Sequence, residues 1–99
     1  MRRIVWTRLG SRDWNEIVSH IAEESEQNAH RVGARIERTV NKLADFPAGR
    51  LGRVQDTYEI VVPRTPYIVA YEMTDTTIVV LRVIHGARDW REGQWPADD

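Results

Sequence analysis

The chain has 99 residues and a formal net charge of −1, with 41% hydrophobic residues, 29% charged residues and no cysteine. These values fit one soluble globular domain and exclude a disulfide framework, a disordered chain and an apolar run of the ~20 residues that a bilayer span needs. No signal-peptide core follows the N-terminus, so we expect a cytoplasmic protein without a membrane partner. The near-neutral charge also argues against strong direct binding to nucleic acid, which usually shows as a basic excess.

Residues 2–7 predict a short strand, because Ile4, Val5 and Trp6 favour β structure. The Gly-Ser pair at 10–11 is expected to end it. A first helix follows, and its apolar side chains recur at i, i+3, i+4, i+7 and i+8: Trp14, Ile17, Val18, Ile21 and Ala22. Asp13 with Glu16 is a candidate capping pair, although an earlier start stays open, and the helix should stop near residues 25–27.

Asn28 is a suitable N-cap for a second helix. The apolar stripe of this helix is formed by Ala29, Val32, Ile36, Val40, Leu43 and Ala44, and basic residues lie on or beside its polar side. Gly33 within the stripe costs about 1 kcal/mol relative to alanine, which predicts close packing against the first helix. The short connection between the two helices predicts an antiparallel hairpin.

A basic loop at residues 47–53, expected to be flexible, precedes three predicted strands at about 55–62, 67–73 and 77–84. Short turns between them imply an antiparallel meander. In the last strand, Ile78, Val80, Arg82 and Ile84 share one face, which we assign to the open side because a buried unpaired guanidinium is costly. Glu72 pairs with Arg82 there only in a register that places even residues opposite even residues, and the sequence leaves that register open.

The element order β-α-α-β-β-β predicts an α+β domain, with an antiparallel helical hairpin packed on a small, mainly antiparallel four-stranded sheet. We expect one domain over residues 1–93 and a short C-terminal tail over 94–99. Neither a metal site nor a cofactor is expected, because cysteine is absent and no histidine–carboxylate spacing fits a metal. The glycines at 49 and 52 lack the Lys-Ser/Thr of a nucleotide-binding loop.

Five segments resemble the RelE/ParE toxins of bacterial type II toxin–antitoxin systems, with the ParE-like branch closest. These segments are Asp13-Trp14 with Ile17, Ile21 and Ala22; Leu43 with Phe46-Pro47 and Gly49-Arg50; Glu59 to Pro63; Pro66 to Tyr71; and Leu81 to Trp90. Each segment alone is weak, but all five in order, over residues 3–92, are a strong signal. The resemblance implies the fold above and, as partner, a small ParD-like antitoxin whose C-terminal segment folds on binding in a hetero-oligomeric complex.

The resemblance implies ribosome-dependent mRNA cleavage for the RelE-like branch and poisoning of DNA gyrase for the ParE-like branch. An RNA-cleaving site needs a general base, a general acid and cations around the phosphorane. The candidates are His85, Arg82, Arg88 and Glu59, whereas His20 and His30 are expected at the surface. His85 is also explained as a turn residue, and Glu59 as an exposed strand carboxylate. The family's ribonucleases carry an arginine where this chain has Ile68, and an aliphatic side chain cannot stabilise a phosphorane.

We therefore expect a toxin that inhibits growth by binding DNA gyrase, while leaving open whether it is an enzyme. Arginine and tryptophan are frequent at interface hot spots, which makes Arg50, Arg53, Arg88 and Trp90 the candidates for target binding. Arg31, Arg35 and Arg38 are the candidates for contact with acidic residues of the antitoxin. Two alternatives stay open: a RelE-type mRNA endoribonuclease, and an inactive homologue that acts only in the antitoxin complex and in operon autoregulation.

Overall fold

A computed structural model describes residues 1–86 of the chain. In chain order its elements are β1 (Arg3–Trp6), α1 (Arg8–Ala22), α2 (Glu26–Lys42), β2 (Arg50–Leu51), β3 (Tyr58–Val61), β4 (Tyr67–Met73) and β5 (Thr77–His85). The predicted α+β class and helical hairpin are confirmed. The number of strands is corrected from four to five, because the two-residue β2 pairs with β3 inside the segment that the sequence predicted as a flexible loop.

The five strands form one sheet in the order β1-β5-β4-β3-β2. The first strand runs parallel to β5, with Arg3 opposite Thr77, and the other neighbouring strands are antiparallel, as the meander predicted. This places β1 beside β5. The Thr7 hydroxyl joins them further by donating to the carbonyl oxygens of Val80 and Leu81, at 2.9 and 3.0 Å.

The first helix begins at Arg8, before the glycine that was expected to end the preceding strand. Thr7 is its N-cap, and the Thr7 hydroxyl accepts a hydrogen bond from the Gly10 amide at 2.9 Å. Glycine stands at position 10 because a Cβ there would lie 2.8 Å from the Val80 carbonyl oxygen. The glycine therefore marks a close approach of α1 to β5, and the proposed capping role of Asp13 is wrong.

The second helix also begins earlier than predicted, because Ser25 rather than Asn28 is its N-cap and accepts from the Asn28 amide at 3.1 Å. The predicted close packing at Gly33 is confirmed. A Cβ on Gly33 would lie 3.0 Å from the Trp14 ring, and the Trp14 indole N–H donates to the Gly33 carbonyl oxygen at 3.1 Å. The absence of a side chain at Gly33 therefore allows the Trp14 ring of α1 to pack directly against α2.

The core lies between α2 and the sheet and contains Val32, Ile36, Val40, Leu43, Val62, Val69, Tyr71, Ile78, Val80 and Val83. On β5 its members switch from even to odd positions. The β4–β5 pairing skips one residue: Tyr71 stands opposite Val80, but Ala70 stands opposite Arg82. Such a bulge changes the face on which the following side chains lie. The prediction that Ile78, Val80 and Ile84 lie on an open face is wrong, because the first two are fully buried and Ile84 is only 2% exposed.

The same register decides the partner of Glu72. This residue stands opposite Val79, so the cross-strand pair with Arg82 that the sequence left open does not form.

Among the described residues, no helix is long and apolar enough to cross a membrane. The predicted tail at residues 94–99 lies outside the described residues.

Candidate functional site

A polar groove lies between α1 and the ends of β4 and β5. His85 is the last residue of β5 and stands opposite Tyr67, and their rings meet edge to face with centroids 5.7 Å apart. The side chains of Asp13, His20 and Arg82 line the same groove. His85 and His20 are both exposed, as expected for His20, and Tyr67 is partly exposed, so two imidazoles face solvent at one end of the sheet.

The guanidinium of Arg82 is bound by Asp13 of α1. Its Nε donates to Asp13 Oδ2 at 2.7 Å and its Nη2 donates to Oδ1 at 3.1 Å. Oδ2 also accepts the backbone N–H of Val83 at 2.9 Å, directly after the bulge. The two side chains are only 15% and 12% exposed. Arg82 was a candidate for stabilising a phosphorane, but its charge is compensated inside the fold, and Asp13 is the site residue that sequence reasoning missed.

Glu59 is buried, contrary to the exposed carboxylate that the sequence predicted. Only 3% of the residue is exposed. Its carboxylate accepts from the Arg53 backbone N–H at 2.8 Å and from the Arg53 side chain at 2.9 and 3.2 Å. The guanidinium of Arg50 lies 3.9 Å away and remains 68% exposed. The carboxylate therefore fixes the segment before β3, and Arg50 is the more accessible of the two arginines proposed for target binding.

The same segment is held from a second side by Tyr71, whose hydroxyl donates to the carbonyl oxygen of Ala48. Burial, and to a lesser extent Tyr58, raises the pKa of Tyr71 above its ordinary value. Gly49 has a φ of 121°, and a Cβ there would lie 2.5 Å from the Glu59 carbonyl oxygen. Glycine is thus required for the chain to pass this close to β3. The loop predicted as flexible is held by Tyr71, by Glu59 and by the pairing of β2 with β3.

The catalytic candidates that the structure describes do not converge. Arg82 and His85 line the polar groove. Glu59 stands opposite Ala70, which in turn stands opposite Arg82, so Glu59 and Arg82 are two strand spacings apart, or about 10 Å between backbones. Arg88 and Trp90 lie outside the described residues. Among the residues that the structure describes, no group of three or more histidine, aspartate or glutamate side chains could hold a metal ion.

A basic ridge runs along α2 and is formed by Arg31, Arg35, Arg38 and Lys42. Their spacing of i, i+4, i+7 and i+11 puts them on one side of the helix. Arg35, Arg38 and Lys42 also line a groove whose other wall is formed by Pro63 and Arg64 of the β3–β4 turn. The three candidates for antitoxin contact thus lie on one side of α2, and Lys42 and Arg64 lie in the same groove as Arg35 and Arg38.

Comparison with known proteins agrees with this architecture. A family model described as the ParE toxin of the type II toxin–antitoxin system parDE matches residues 4–90. The chain belongs to the ParE toxin family. It is 38% identical over 90 residues to toxin Y4kP of Sinorhizobium fredii, a match that covers 90% of this chain and 93% of that protein. It is 32% identical over 89 residues to Toxin RelE2 of Caulobacter vibrioides, covering 89% of this chain and 99% of that protein.

Among solved structures, the chain is similar to one described as the chromosomal ParDE TA system from P. aeruginosa. The TM-score is 0.78 over 86% of this chain and 96% of that chain, at 22% sequence identity. This similarity supports the fold. The family match confirms the predicted resemblance and makes the chain the toxin component of a type II toxin–antitoxin system.

Proposed function

We propose that this ParE family toxin arrests growth by binding DNA gyrase in the cytoplasm, and that a small ParD-like antitoxin neutralises it by folding on its surface. A binding mechanism is supported because the charged groups proposed for RNA cleavage are already paired with other residues of the fold. Arg82 is paired with Asp13, Glu59 with Arg53, and the position of the ribonuclease arginine holds the buried side chain of Ile68.

A phosphorane-stabilising arginine must direct its N–H groups at the substrate. Two of the Arg82 N–H groups are directed at Asp13. Freeing them would leave a largely buried carboxylate without its counter-ion, at a cost of about 3–5 kcal/mol. We therefore infer that Arg82 acts in the fold, and we place the contact with the target at the exposed Arg50, together with Arg53 and with Arg88 and Trp90 of the C-terminal segment.

The experiment is a supercoiling assay with purified DNA gyrase, relaxed plasmid, ATP and the free toxin. We expect the wild-type toxin to inhibit supercoiling and to stabilise cleaved DNA, and Arg50→Glu to weaken this effect at least tenfold. Arg12→Glu is the matched control, because Arg12 lies on α1 and its side chain is 70% exposed. Unchanged supercoiling by a toxin that still arrests cells upon induction would reject gyrase as the target.

The alternative of a RelE-type endoribonuclease is favoured by one observation, the exposed His85 beside Tyr67 in the polar groove. Primer extension on translated mRNA after induction separates the two functions. Cuts within codons that disappear in His85→Ala would establish the ribonuclease. A chain that causes no growth defect without its antitoxin would be an inactive homologue, whose remaining roles are complex formation and operon repression.

A further inference from the structure

Two neighbouring grooves form one continuous surface between α2 and the β3–β4 turn. The basic groove is lined by Arg35, Arg38, Lys42 and Arg64 together with Thr39 and Pro63. The apolar groove is lined by Leu43, Phe46, Ile60, Val61 and Pro63, and also by Thr39, Lys42, Asp45 and Ala48. Because Thr39, Lys42 and Pro63 belong to both grooves, a ligand that fills one of them also touches the other.

The basic groove concentrates positive charge that no carboxylate of the described residues compensates. Within residues 1–86, none of its four cations lies within 4.0 Å of a carboxylate, although the chain carries a net charge of −1. The other arginines that reach into the fold, Arg53 and Arg82, each have a carboxylate partner. Four cations side by side repel one another, and a ligand with several negative charges would relieve that repulsion.

The backbone holds Arg64 at this groove. Its φ is 61°, in the left-handed region that costs a non-glycine residue about 1 kcal/mol or more. Hydrogen bonds of the next residue keep the turn in place: the Thr65 hydroxyl donates to the Val62 carbonyl oxygen at 2.9 Å and accepts from the Tyr67 amide at 3.1 Å. The turn thus fixes the backbone of Arg64 opposite a helix that carries three more cations, which reduces the ordering that an anionic ligand would require.

The apolar groove exposes side chains that a solvated surface does not favour. Phe46 is 78% exposed and Val61 is 53% exposed, and both line the groove beside the buried Leu43. A single exposed apolar residue needs no explanation, but several around one groove mark an interaction site. The groove offers aliphatic walls and one aromatic ring, which suit apolar side chains better than a series of stacked bases.

We propose that this composite surface binds one amphipathic, acidic segment of the antitoxin, with its carboxylates in the basic groove and its apolar side chains in the apolar groove. The inference rests on the proposed neutralisation by an antitoxin and specifies where and by what chemistry it occurs. An α-helix that runs alongside α2 presents carboxylates at i, i+3 and i+7, at the spacing of Arg35, Arg38 and Lys42. A nucleic acid would satisfy the cations but leave Phe46 and Val61 in water.

The test uses the full-length toxin and the full-length antitoxin encoded by the adjacent gene, with the dissociation constant measured by titration at two salt concentrations. The variant Arg38→Glu/Arg64→Glu reverses two charges of the basic groove. We expect it to raise the dissociation constant about 100-fold and to reduce the salt dependence of binding. Phe46→Ser should raise the dissociation constant about tenfold without changing the salt dependence.

The matched control is Arg3→Glu/Arg12→Glu, which makes the same charge change at exposed residues of β1 and α1 and should leave binding within threefold. Thermal melts of all variants verify that each is folded. If the wild-type toxin does not bind the antitoxin, the proposed neutralisation fails and this inference fails with it. If the wild type binds and both groove variants bind within threefold of it, only the inference is overturned. The same conclusion follows if the charge reversal abolishes binding of a duplex oligonucleotide but leaves antitoxin binding intact.

Discussion

The ion pair between Asp13 and Arg82 should contribute strongly to stability, and Asp13→Ala tests this. The carboxylate accepts three hydrogen bonds, two from Arg82 and one from the Val83 amide. Without this carboxylate, the guanidinium of Arg82 has no counter-ion, although the side chain is only 15% exposed, and the Val83 amide has no acceptor. Breaking a largely buried pair costs about 3–5 kcal/mol, and we expect about 3 kcal/mol here because the pair retains some contact with water.

This loss is a large part of the total stability of a chain of this size, which is about 5–15 kcal/mol. Urea unfolding followed by far-UV circular dichroism measures it, and Tm should fall by at least about 10 °C. A double-mutant cycle with Arg82→Met isolates the pair, and we expect a coupling free energy of about 2 kcal/mol. The control is Glu16→Ala, which breaks the exposed Arg12–Glu16 pair and should cost less than about 0.5 kcal/mol. A coupling free energy near zero would refute the role assigned to Asp13.

Three further predictions concern single side chains. Glu59→Gln should lower the free energy of unfolding by about 2 kcal/mol in urea titrations, because it removes the charge-assisted hydrogen bonds to Arg53. The control, Glu72→Gln at an exposed position, should change the free energy of unfolding by less than about 0.5 kcal/mol. Gly10→Ala should cost about 2 kcal/mol, because its Cβ would lie 2.8 Å from the Val80 carbonyl oxygen, and the exposed Ser19→Ala serves as its control. The raised pKa of Tyr71 means that the folded state keeps the phenol proton to a higher pH than the unfolded chain, so stability is unaffected below about pH 10 and falls as pH rises towards the folded pKa. Tyr71→Phe should flatten this alkaline decrease in stability and cost about 1 kcal/mol at neutral pH. An alkaline decrease equal to that of the wild type would contradict the assignment.

Local patterns predicted the elements of this fold well. The helix stripes and the β4 range of 67–73 follow from apolar periodicity, and both are observed. The packing reason for Gly33 was also correct, because a helix glycine inside an apolar stripe needs a large neighbour, here Trp14. The helix starts were wrong by several residues. Thr7 and Ser25 are the caps that form, and Asp13 and Asn28 have the same local chemistry.

The faces of β5 could not be predicted from the sequence, for a physical reason. Strict alternation places Arg82 on the same face as Ile78 and Val80, and the cost of a buried charge then assigns that whole face to solvent. The bulge interrupts this alternation, because Arg82 follows the residue of β5 that the pairing skips. Its partner Asp13 is 69 positions away in sequence, and no local pattern joins two residues across that distance. A charged residue in an apolar strand nevertheless indicates a carboxylate on a neighbouring element.

Charge pairing also separates the arginines into two groups, which motif matching could not do. Arg82, a candidate for RNA cleavage, and Arg53, a candidate for target binding, are both bound to carboxylates of the fold. Arg35, Arg38 and Arg64 have no such partner among the described residues and line one groove. Compensated arginines stabilise a fold, and uncompensated ones are available to a ligand at no cost in stability. The arginines most available for recognition therefore face the side of α2 where an acidic protein segment fits, and the positions that suggested RNA chemistry are used to hold β3 and β5 in place.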